Sequence, residues 1–445
     1  MNFSRVWSLA LVLTFLGFGA GVAAALDAPH GIHHARITES HLAKSHRASR
    51  YAATRAARPA VRSRAARTRA SRTRATRQTL STADLRRTGR RGLRAQGGAG
   101  VRRTAYLSRR HHYYEQFTAS SFARGDIFAG DMTAGEDPVV RQAAIDALGD
   151  MNGTAVVIDP SNGRVLAMVN QKLALSPGAE PCSTIKITVA MAALSEGLVT
   201  KDTMVQLPGF RMNMTEALAH SNNLYFEHLG RELGFDRVHH YATEFGLGEL
   251  AGYHIQGEQL GTYPYQELPA SEGGVGRMCS FGQGVSMTPL QLGAYVAALA
   301  NGGTLYYLQH PTSAQQAAQF QPRVKRKLDI AKYIPEIEDG MAGAVEYGTA
   351  RRLRANFHQL PVFGKTGTCS NDGTRLGWFA SYSDSPEGSL VTVFLLEGGR
   401  STFGPRAAEL TGDFYKNLWD RNWFASKGQQ DSASIATASS RRGQP

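Results

Sequence analysis

The sequence predicts an α+β fold in which one antiparallel five-stranded sheet is flanked by helices. Three observations predict it. An alternating hairpin pattern opens the globular part of the chain, three strand-like segments come near its end, and helical spacing occupies most of the residues between them. Because the strands come from distant parts of the chain, they have to meet in one sheet on which the helices pack.

Capping and turn residues delimit the elements of the first half. Pro138 is a helix-starting residue at the head of a stretch with helical spacing. Alternating residues then turn at 161–163, whose sequence Ser-Asn-Gly is typical of a β-hairpin. Gly197 ends a later helix. The predicted elements are a helix at 138–149, a hairpin at 153–170 and a helix at 183–196.

The second half is delimited by the same kinds of signal. Thr288 caps an apolar helix, and Gly302 closes it. Three segments rich in β-branched and aromatic residues, VFGKTGTC, RLGWFASY and LVTVFLLE, are predicted strands. The predicted helical regions are 215–250, which is mainly helical, and single helices at 288–303, near 336–347 and near 405–419.

The first 26 residues indicate export. Arg5 precedes an apolar run from Val6 to Leu26, which is just long enough to span a bilayer. Within this run, residues 23–25 form an A-x-A-like cleavage site, and glycines interrupt the apolar stretch. A cleaved signal peptide at 1–26 is favoured over a retained membrane anchor, and both predict an exported body. One disulfide with one cysteine left over suits the three cysteines of an exported chain.

The chain of 445 residues has a net charge of +14, but this charge is unevenly distributed. From Arg36 to Arg110, 22 basic residues stand against two acidic ones, a local charge of +20 that leaves −6 for the rest. Such a segment cannot bury enough apolar surface to offset its ordering entropy, so we expect disorder at 27–112. A polar tail at 425–445 is also expected to be disordered, which leaves a folded domain at 113–424.

Three interpretations of this arginine-rich segment, residues 27–112, remain open. It could tether the protein to anionic lipid headgroups or to cell-wall polymers, bind nucleic acid, or serve as a solvated spacer. Nucleic acid is not an expected partner, because an exported protein rarely meets it and no nucleic-acid-binding signature accompanies the arginines.

Ser183 and Lys186 form an S-x-x-K pattern at the start of a predicted helix. Residues three apart share one helical face, and a serine in the first turn has its N–H at the positive end of the helix dipole. A lysine whose pKa is lowered by burial or by a cationic neighbour can accept the hydroxyl proton, and the N–H can stabilise an oxyanion. Alone, the pattern equally suits a helix-capping serine beside a solvated lysine.

Two further motifs favour the catalytic interpretation. Ser221-Asn222-Asn223 is an S-x-N between two predicted helical stretches, and residues 365–368 read Lys-Thr-Gly-Thr on a predicted strand. Each by itself fits a structural role as loop caps, a solvated lysine or a strand bulge. Together and in this order, the three motifs are those of class A β-lactamases and penicillin-binding proteins.

The chain resembles the transpeptidase domain of penicillin-binding proteins and, more widely, the serine D,D-peptidase and β-lactamase superfamily. The resemblance covers about residues 138–420 and includes VVIDPSNGRVLAMV, FGQGVSMTPLQLGAYVAALANGG and GMAGAVEYGTARRL. It implies an active site between the sheet and a mostly helical subdomain, and no cofactor. It also implies a bacterial protein in the periplasm or on the outer face of the inner membrane.

Residue by residue, the resemblance implies a role for each motif position. Ser183 is the nucleophile that forms the acyl-enzyme, and Lys186 is the base that activates it. Ser221 relays a proton to the leaving nitrogen, and Asn223 orients Lys186 and the substrate amide.

The strand motif completes the implied site. Lys365 adds positive potential, while Thr366 and Thr368 hydrogen-bond the terminal carboxylate of the substrate. The N–H groups of Ser183 and Thr368 form the oxyanion hole. Gly367 leaves room for the substrate to lie along the strand edge, as in β-augmentation.

Two cysteines depart from the family pattern. The family usually has Pro-Gly before the nucleophile, where this chain has Cys182 in the second position, and a small residue where this chain has Cys369. If the N–H groups of Ser183 and Thr368 share one oxyanion, the two cysteines are within disulfide range. Such a bridge resembles one in some carbapenem-hydrolysing class A β-lactamases. We predict a Cys182–Cys369 disulfide with Cys279 free; the alternative is three unpaired buried thiols.

Within the superfamily, the expected activity is that of a peptidoglycan D,D-transpeptidase on D-Ala-D-Ala stem peptides, with β-lactams as covalent inhibitors. The alternatives are a D,D-carboxypeptidase, a serine β-lactamase, and a non-catalytic β-lactam sensor. A class A β-lactamase needs Glu-x-x-x-Asn, and neither Glu258 nor Glu267 has an Asn in that register. No metal site is predicted, because the His pairs at 33–34, 111–112 and 239–240 lack partners at ligand spacing.

Overall fold

The computed structural model of the protein describes residues 117–385 and 388–427. The predictions for the signal segment at 1–26, for the arginine-rich segment and for most of the polar tail lie outside the described residues. Lys427 lies three residues beyond the predicted boundary at 424 and forms an ion pair with Asp159 at 2.9 Å.

Helices and strands are numbered here in chain order. The α-helices are α1 (Pro138–Leu148), α2 (Gln171–Ala174), α3 (Lys186–Ser195), α4 (Met214–Ala219), α5 (Asn223–Leu233), α6 (Phe235–Glu244), α7 (Gly274–Phe281), α8 (Pro289–Ala300), α9 (Ala314–Ala318), α10 (Ile334–Glu346) and α11 (Gly404–Asp420). Short 3-10 helices are Cys182–Ile185, Ala270–Glu272 and Arg351–Ala355. The strands are β1 (Gly153–Asp159), β2 (Arg164–Val169), β3 (Val205–Leu207), β4 (Phe210–Met212), β5 (Thr304–Tyr306), β6 (Val324–Lys327), β7 (Val362–Asn371), β8 (Thr374–Ser383) and β9 (Leu390–Gly398).

The main sheet is five-stranded and antiparallel, in the order β2-β1-β9-β8-β7, which confirms the predicted fold class. The early hairpin supplies two strands and the late segments supply three. β7 lies at one edge and is paired on one side with β8, so that Gly367 faces Trp378 and Thr368 faces Gly377. An edge strand offers unpaired backbone groups to a ligand or another chain.

Two buried clusters cover the two faces of this sheet. One face carries α1 and α11, with residues such as Phe394 and Phe414 in its core. The opposite face carries α3 and α8, and its core extends into the helical region that contains α5 and α7. Residues Lys186 to Leu194 of α3 are buried in an unbroken run. A helix buried all round is a central element of the fold, so α3 is held rigidly between sheet and helices.

The structure refines two of the predicted helical regions. The helix predicted at 183–196 begins as the 3-10 turn Cys182–Ile185, in which the Thr184 hydroxyl donates to the Pro181 carbonyl across 2.7 Å. The region predicted as mainly helical at 215–250 is divided into α4, α5 and α6. The breaks fall where Ser221 has φ 55° and Gly234 has φ 74°, because a positive φ cannot continue a right-handed helix.

Within the described ranges, none of the helices combines the length and the apolar character that a membrane crossing requires.

Candidate active site

Ser183 lies in the 3-10 turn that leads into α3. The other three residues of this turn are buried, whereas Ser183 is partly exposed. Its carbonyl accepts the N–H of Lys186, so that the turn runs directly into the helix. The turn therefore presents the Ser183 side chain to solvent from an otherwise buried support.

Lys186 is fully buried and has three oxygen partners. Its Nζ donates to the Ser221 carbonyl at 2.8 Å, to Ser221 Oγ at 3.1 Å and to Asn223 Oδ1 at 2.6 Å. Burial lowers the Lys186 pKa well below its ordinary value, and the positive charge of Lys365 lowers it further. A lowered pKa leaves the amine neutral in a larger fraction of molecules near neutral pH, which is the state that can accept a proton.

Lys365 approaches the same serine from the sheet. Its Nζ donates to Ser221 Oγ at 2.8 Å and to the Thr366 carbonyl at 2.9 Å. Burial lowers the Lys365 pKa to about 7. Ser221 Oγ thus lies between two lysine amines. A hydroxyl has two lone pairs and one proton. When both amines donate to Ser221 Oγ, its lone pairs are occupied and its proton remains available for donation.

The backbone conformation at Ser221 directs its carbonyl and its hydroxyl toward the amines of Lys186 and Lys365. Its φ of 55° is in the left-handed region, which costs on the order of 1–3 kcal/mol for a residue other than glycine. The turn is held by the Asn222 N–H, which donates to Ala217 O at 2.9 Å, and by the Asn222 side chain, which accepts from Tyr225 N at 3.0 Å. Asn222 therefore caps α5, and Asn223 becomes its first residue.

β7 packs directly against the turn that carries Ser183. A Cβ on Gly367 would lie 2.8 Å from the Pro181 carbonyl oxygen and 3.2 Å from Thr184 Cγ2. A side chain at this position would push the strand and the turn apart, so glycine is required for their close approach. The other predicted role of Gly367, room for substrate along the strand edge, stays a prediction.

The two threonines of the strand motif have protein partners. The Thr366 hydroxyl is bonded to Thr349 Oγ1 at 2.7 Å, and Thr368 Oγ1 accepts the N–H of Gly404 at 2.8 Å. The Thr368 hydroxyl proton has no acceptor among the residues that the structure describes. Sequence reasoning missed Thr349 and Gly404. Thr349 lies in GMAGAVEYGTARRL, and the resemblance of this segment to the family was the one sequence feature that could have drawn attention to it.

Cys182 and Cys369 form a disulfide with a Cα–Cα distance of 5.6 Å, and Cys279 is free and buried. The predicted pairing is therefore confirmed. The bridge ties the turn that carries Ser183 to β7. Cys182 has φ 52°, in the region that favours glycine, which gives a physical reason for the glycine usual at this position in the family.

A second contact supports the segment before Ser183. Trp378 Nε1, on β8, donates to the Glu180 carbonyl at 2.9 Å. The Glu180 carboxyl is partly buried, which raises its pKa, while the charge of Arg277 acts in the opposite direction. The sequence identified Trp378 only as a residue of a predicted strand.

No group of three His, Cys, Asp or Glu side chains with the geometry of a metal site occurs within 117–385 and 388–427. Of the three histidine pairs in the sequence, the one at 239–240 lies in the described region, on α6.

The α+β fold together with the S-x-x-K, S-x-N and K-T-G motifs defines the class of protein, that of serine β-lactamases and penicillin-binding proteins. The sequence model of the penicillin binding protein transpeptidase domain matches residues 153–416, and the chain belongs to this family.

Named relatives agree with this assignment. Stage V sporulation protein D of Bacillus subtilis is 26% identical over 316 residues, which are 59% of this chain and 48% of that protein. Peptidoglycan D,D-transpeptidase MrdA of Haemophilus influenzae is 24% identical over 364 residues, or 63% of this chain and 55% of that protein. The chain thus spans about half the length of these relatives.

Solved structures share the fold. PBP2 of Pseudomonas aeruginosa in complex with WCK 5153 superposes with a TM-score of 0.54 and 24% identity, over 64% of this chain and 74% of that chain. The D,D-transpeptidase domain of a peptidoglycan glycosyltransferase from Eggerthella lenta gives a TM-score of 0.52 and 19% identity, over 64% and 81%.

Proposed function

We propose that the protein is a peptidoglycan D,D-transpeptidase that forms an acyl-enzyme at Ser183 on D-Ala-D-Ala stem peptides and is acylated there by β-lactams. One observation carries the proposal: Ser221 Oγ is shared between the buried amines of Lys186 and Lys365, with Asn223 on the same lysine. This arrangement can move a proton in both directions, and the partly exposed Ser183 lies in the turn that leads into Lys186. The name of the relative MrdA supports the same activity.

Acylation begins with neutral Lys186, which accepts the Ser183 hydroxyl proton as Oγ attacks the carbonyl carbon of the penultimate D-Ala. The carbonyl oxygen gains negative charge and is met by the N–H groups of Ser183 and Thr368. The carbon–nitrogen bond then breaks. The leaving nitrogen takes the Ser221 proton, and Ser221 recovers one from Lys186, so the proton taken from Ser183 ends on the released D-Ala.

The lysine on β7 and its neighbouring threonines bind the far end of the substrate. Lys365 provides positive potential for the terminal carboxylate of the donor peptide, and the Thr368 hydroxyl has a proton to donate to it. An amine from a neighbouring stem peptide then attacks the acyl-enzyme and forms the cross-link. In a D,D-carboxypeptidase, water would take the place of this amine.

The structure offers a reason to rank a class A β-lactamase lower. The Glu258 carboxylate accepts the N–H groups of Ala251 and Gly252 at 2.9–3.0 Å, so its oxygens are engaged within its own loop. These three bonds use most of the acceptor sites of the carboxylate and leave about one for a deacylating water.

The location and the role of the arginine-rich segment belong to this proposal as well. The substrate lies outside the cytoplasm, so the folded domain acts in the periplasm or on the outer face of the inner membrane. The basic segment would hold the enzyme near anionic lipid or cell-wall polymers by electrostatic attraction.

Labelling with a fluorescent penicillin tests the proposal. We expect purified protein to be labelled stably and Ser183→Ala to remain unlabelled. Rapid loss of label with release of hydrolysed drug would favour a β-lactamase, and a wild type without any label would refute the proposal. Incubation with stem peptides and analysis of products then separates the acceptors, because dimers indicate a transpeptidase and shortened monomers a carboxypeptidase.

A further inference from the structure

Thr349 links the strand motif to the end of α4, two residues before the S-x-N motif. It lies between α10 and the 3-10 helix Arg351–Ala355. Its backbone N–H donates at 3.1 Å to the carbonyl of Ala219, which is the last residue of α4 before the S-x-N turn. Its hydroxyl is bonded at 2.7 Å to Thr366 of the Lys-Thr-Gly-Thr strand.

The backbone on the N-terminal side of Thr349 packs closely against the end of α4. A Cβ on Gly348 would lie 2.1 Å from the Ala219 carbonyl oxygen and 2.8 Å from Ala344 Cα. The segment is therefore wedged against the end of α4, and Thr349 is held at a fixed place beside β7. A hydroxyl held in this way loses little conformational entropy when it binds a ligand.

The Thr349 and Thr366 hydroxyls together have two protons, and one of them is used in the bond between the two side chains. The remaining proton has no acceptor among the described residues. Thr366 is only 4% exposed, whereas Thr349 is partly exposed. A ligand on the outside of β7 therefore meets the pair through Thr349. Hydroxyls in a chain polarise one another, so the outer proton is a stronger donor than that of an isolated threonine.

We propose that Thr349 is a binding residue for the terminal carboxylate of the substrate, to which its hydroxyl donates while it is held by Thr366. This inference rests on the proposed function, because it assigns one more contact to the same subsite. The anionic group next to the β-lactam ring of a penicillin would use the same donor.

The test compares second-order rates of Ser183 acylation by benzylpenicillin and by its methyl ester, which lacks the charge. With benzylpenicillin, Thr349→Val should lower the rate about 10- to 100-fold, the range that a hydrogen bond to a charged group supports. With the ester, the variant and the wild type should differ less than about twofold.

Thr349→Ser keeps the hydroxyl and should recover most of the rate. Thr366→Val should lose the same factor, and the double variant should be no slower than either single one, because the pair delivers one proton.

Thr392→Val is the matched control. Thr392 forms the same kind of hydroxyl pair with Ser381 at 2.8 Å, inside the same sheet, and its loss should leave the ratio of the two rates unchanged. Equal losses with drug and ester for Thr349→Val would assign Thr349 a structural role and overturn the inference. Unchanged rates with both compounds would overturn it too. If benzylpenicillin does not acylate the wild type, the proposed function fails, and this inference fails with it.

Discussion

The disulfide between Cys182 and Cys369 has the largest calculable effect of any single bond near the site. It joins residues 187 apart in the sequence. In the chain-entropy description, a closed loop of that length removes about 18 cal/mol/K from the unfolded chain, or about 5 kcal/mol at 25 °C. For a folded region of about 300 residues, with about 2.1 cal/mol/K of unfolding entropy per residue, this corresponds to a fall in Tm of roughly 8 °C.

Cys369→Ser and Cys182→Gly both break the bridge, but they leave different residues at position 182, where φ is positive. Cys369→Ser leaves a free cysteine with φ 52° beside the nucleophile, whereas Cys182→Gly places there the residue that this conformation favours. We therefore expect Cys182→Gly to lose about 1 kcal/mol less stability than Cys369→Ser, once the backbone entropy of glycine is counted.

The bond should also affect acylation, because it ties the turn of Ser183 to the strand that supplies Thr368 N–H. Calorimetry with and without dithiothreitol gives the change in Tm, and stopped-flow labelling with a fluorescent penicillin gives the acylation rate. We expect both to fall in the reduced wild type. Reductant should leave Cys369→Ser unchanged, since Cys279 has no partner to release. A reduced wild type whose Tm falls by less than 2 °C and whose acylation rate is unchanged would refute the reasoning.

Three further changes test separate parts of the structure. Asn223→Asp places a carboxylate where an amide oxygen lies 2.6 Å from Lys186 Nζ, which should raise the pKa of that lysine. The rise of the acylation rate with pH should then move about 1–3 pH units higher, and an unmoved profile would exclude Lys186 as the base. Gly367→Ala should reduce acylation at least about 100-fold, because its Cβ would clash with the turn of the nucleophile; a rate within threefold of wild type would contradict the packing. Thr288→Ala removes the capping box of α8 and should cost about 1 kcal/mol in urea unfolding, without any effect on the acylation rate per folded molecule.

The secondary structure was largely predictable because its signals are local. The hairpin of β1 and β2 follows from alternation and a Ser-Asn-Gly turn, and α8 follows from Thr288 before its start and Gly302 after its end. The beginning of α3 was less predictable. The positive φ of Cys182 and the hydroxyl bond of Thr184 make its first turn 3-10, and neither depends on helix propensity.

The sequence alone could establish the order of the motifs, and it predicted their chemistry. Ser183, Lys186, Ser221, Asn223 and the strand motif were found because their residue types and spacings are read along the chain. The cysteine pairing was also within reach, since each cysteine adjoins a residue already assigned to one oxyanion hole. These conclusions depend on residues that are neighbours in the sequence and on the resemblance to penicillin-binding proteins. They do not depend on the three-dimensional structure.

Only the packed structure decides which of these groups are hydrogen-bonded to one another. Ser221 Oγ accepts hydrogen bonds from Lys186, which is 35 residues away in the sequence, and from Lys365, which is 144 residues away. Both lysines are buried. A lysine on a strand can be exposed to solvent or buried with the same local sequence. Burial in the packed structure lowers the pKa of Lys365 from its ordinary value to about 7. Thr349 joins the site for the same reason, because contacts between distant segments depend on how helices and strands pack, and local sequence patterns do not encode them.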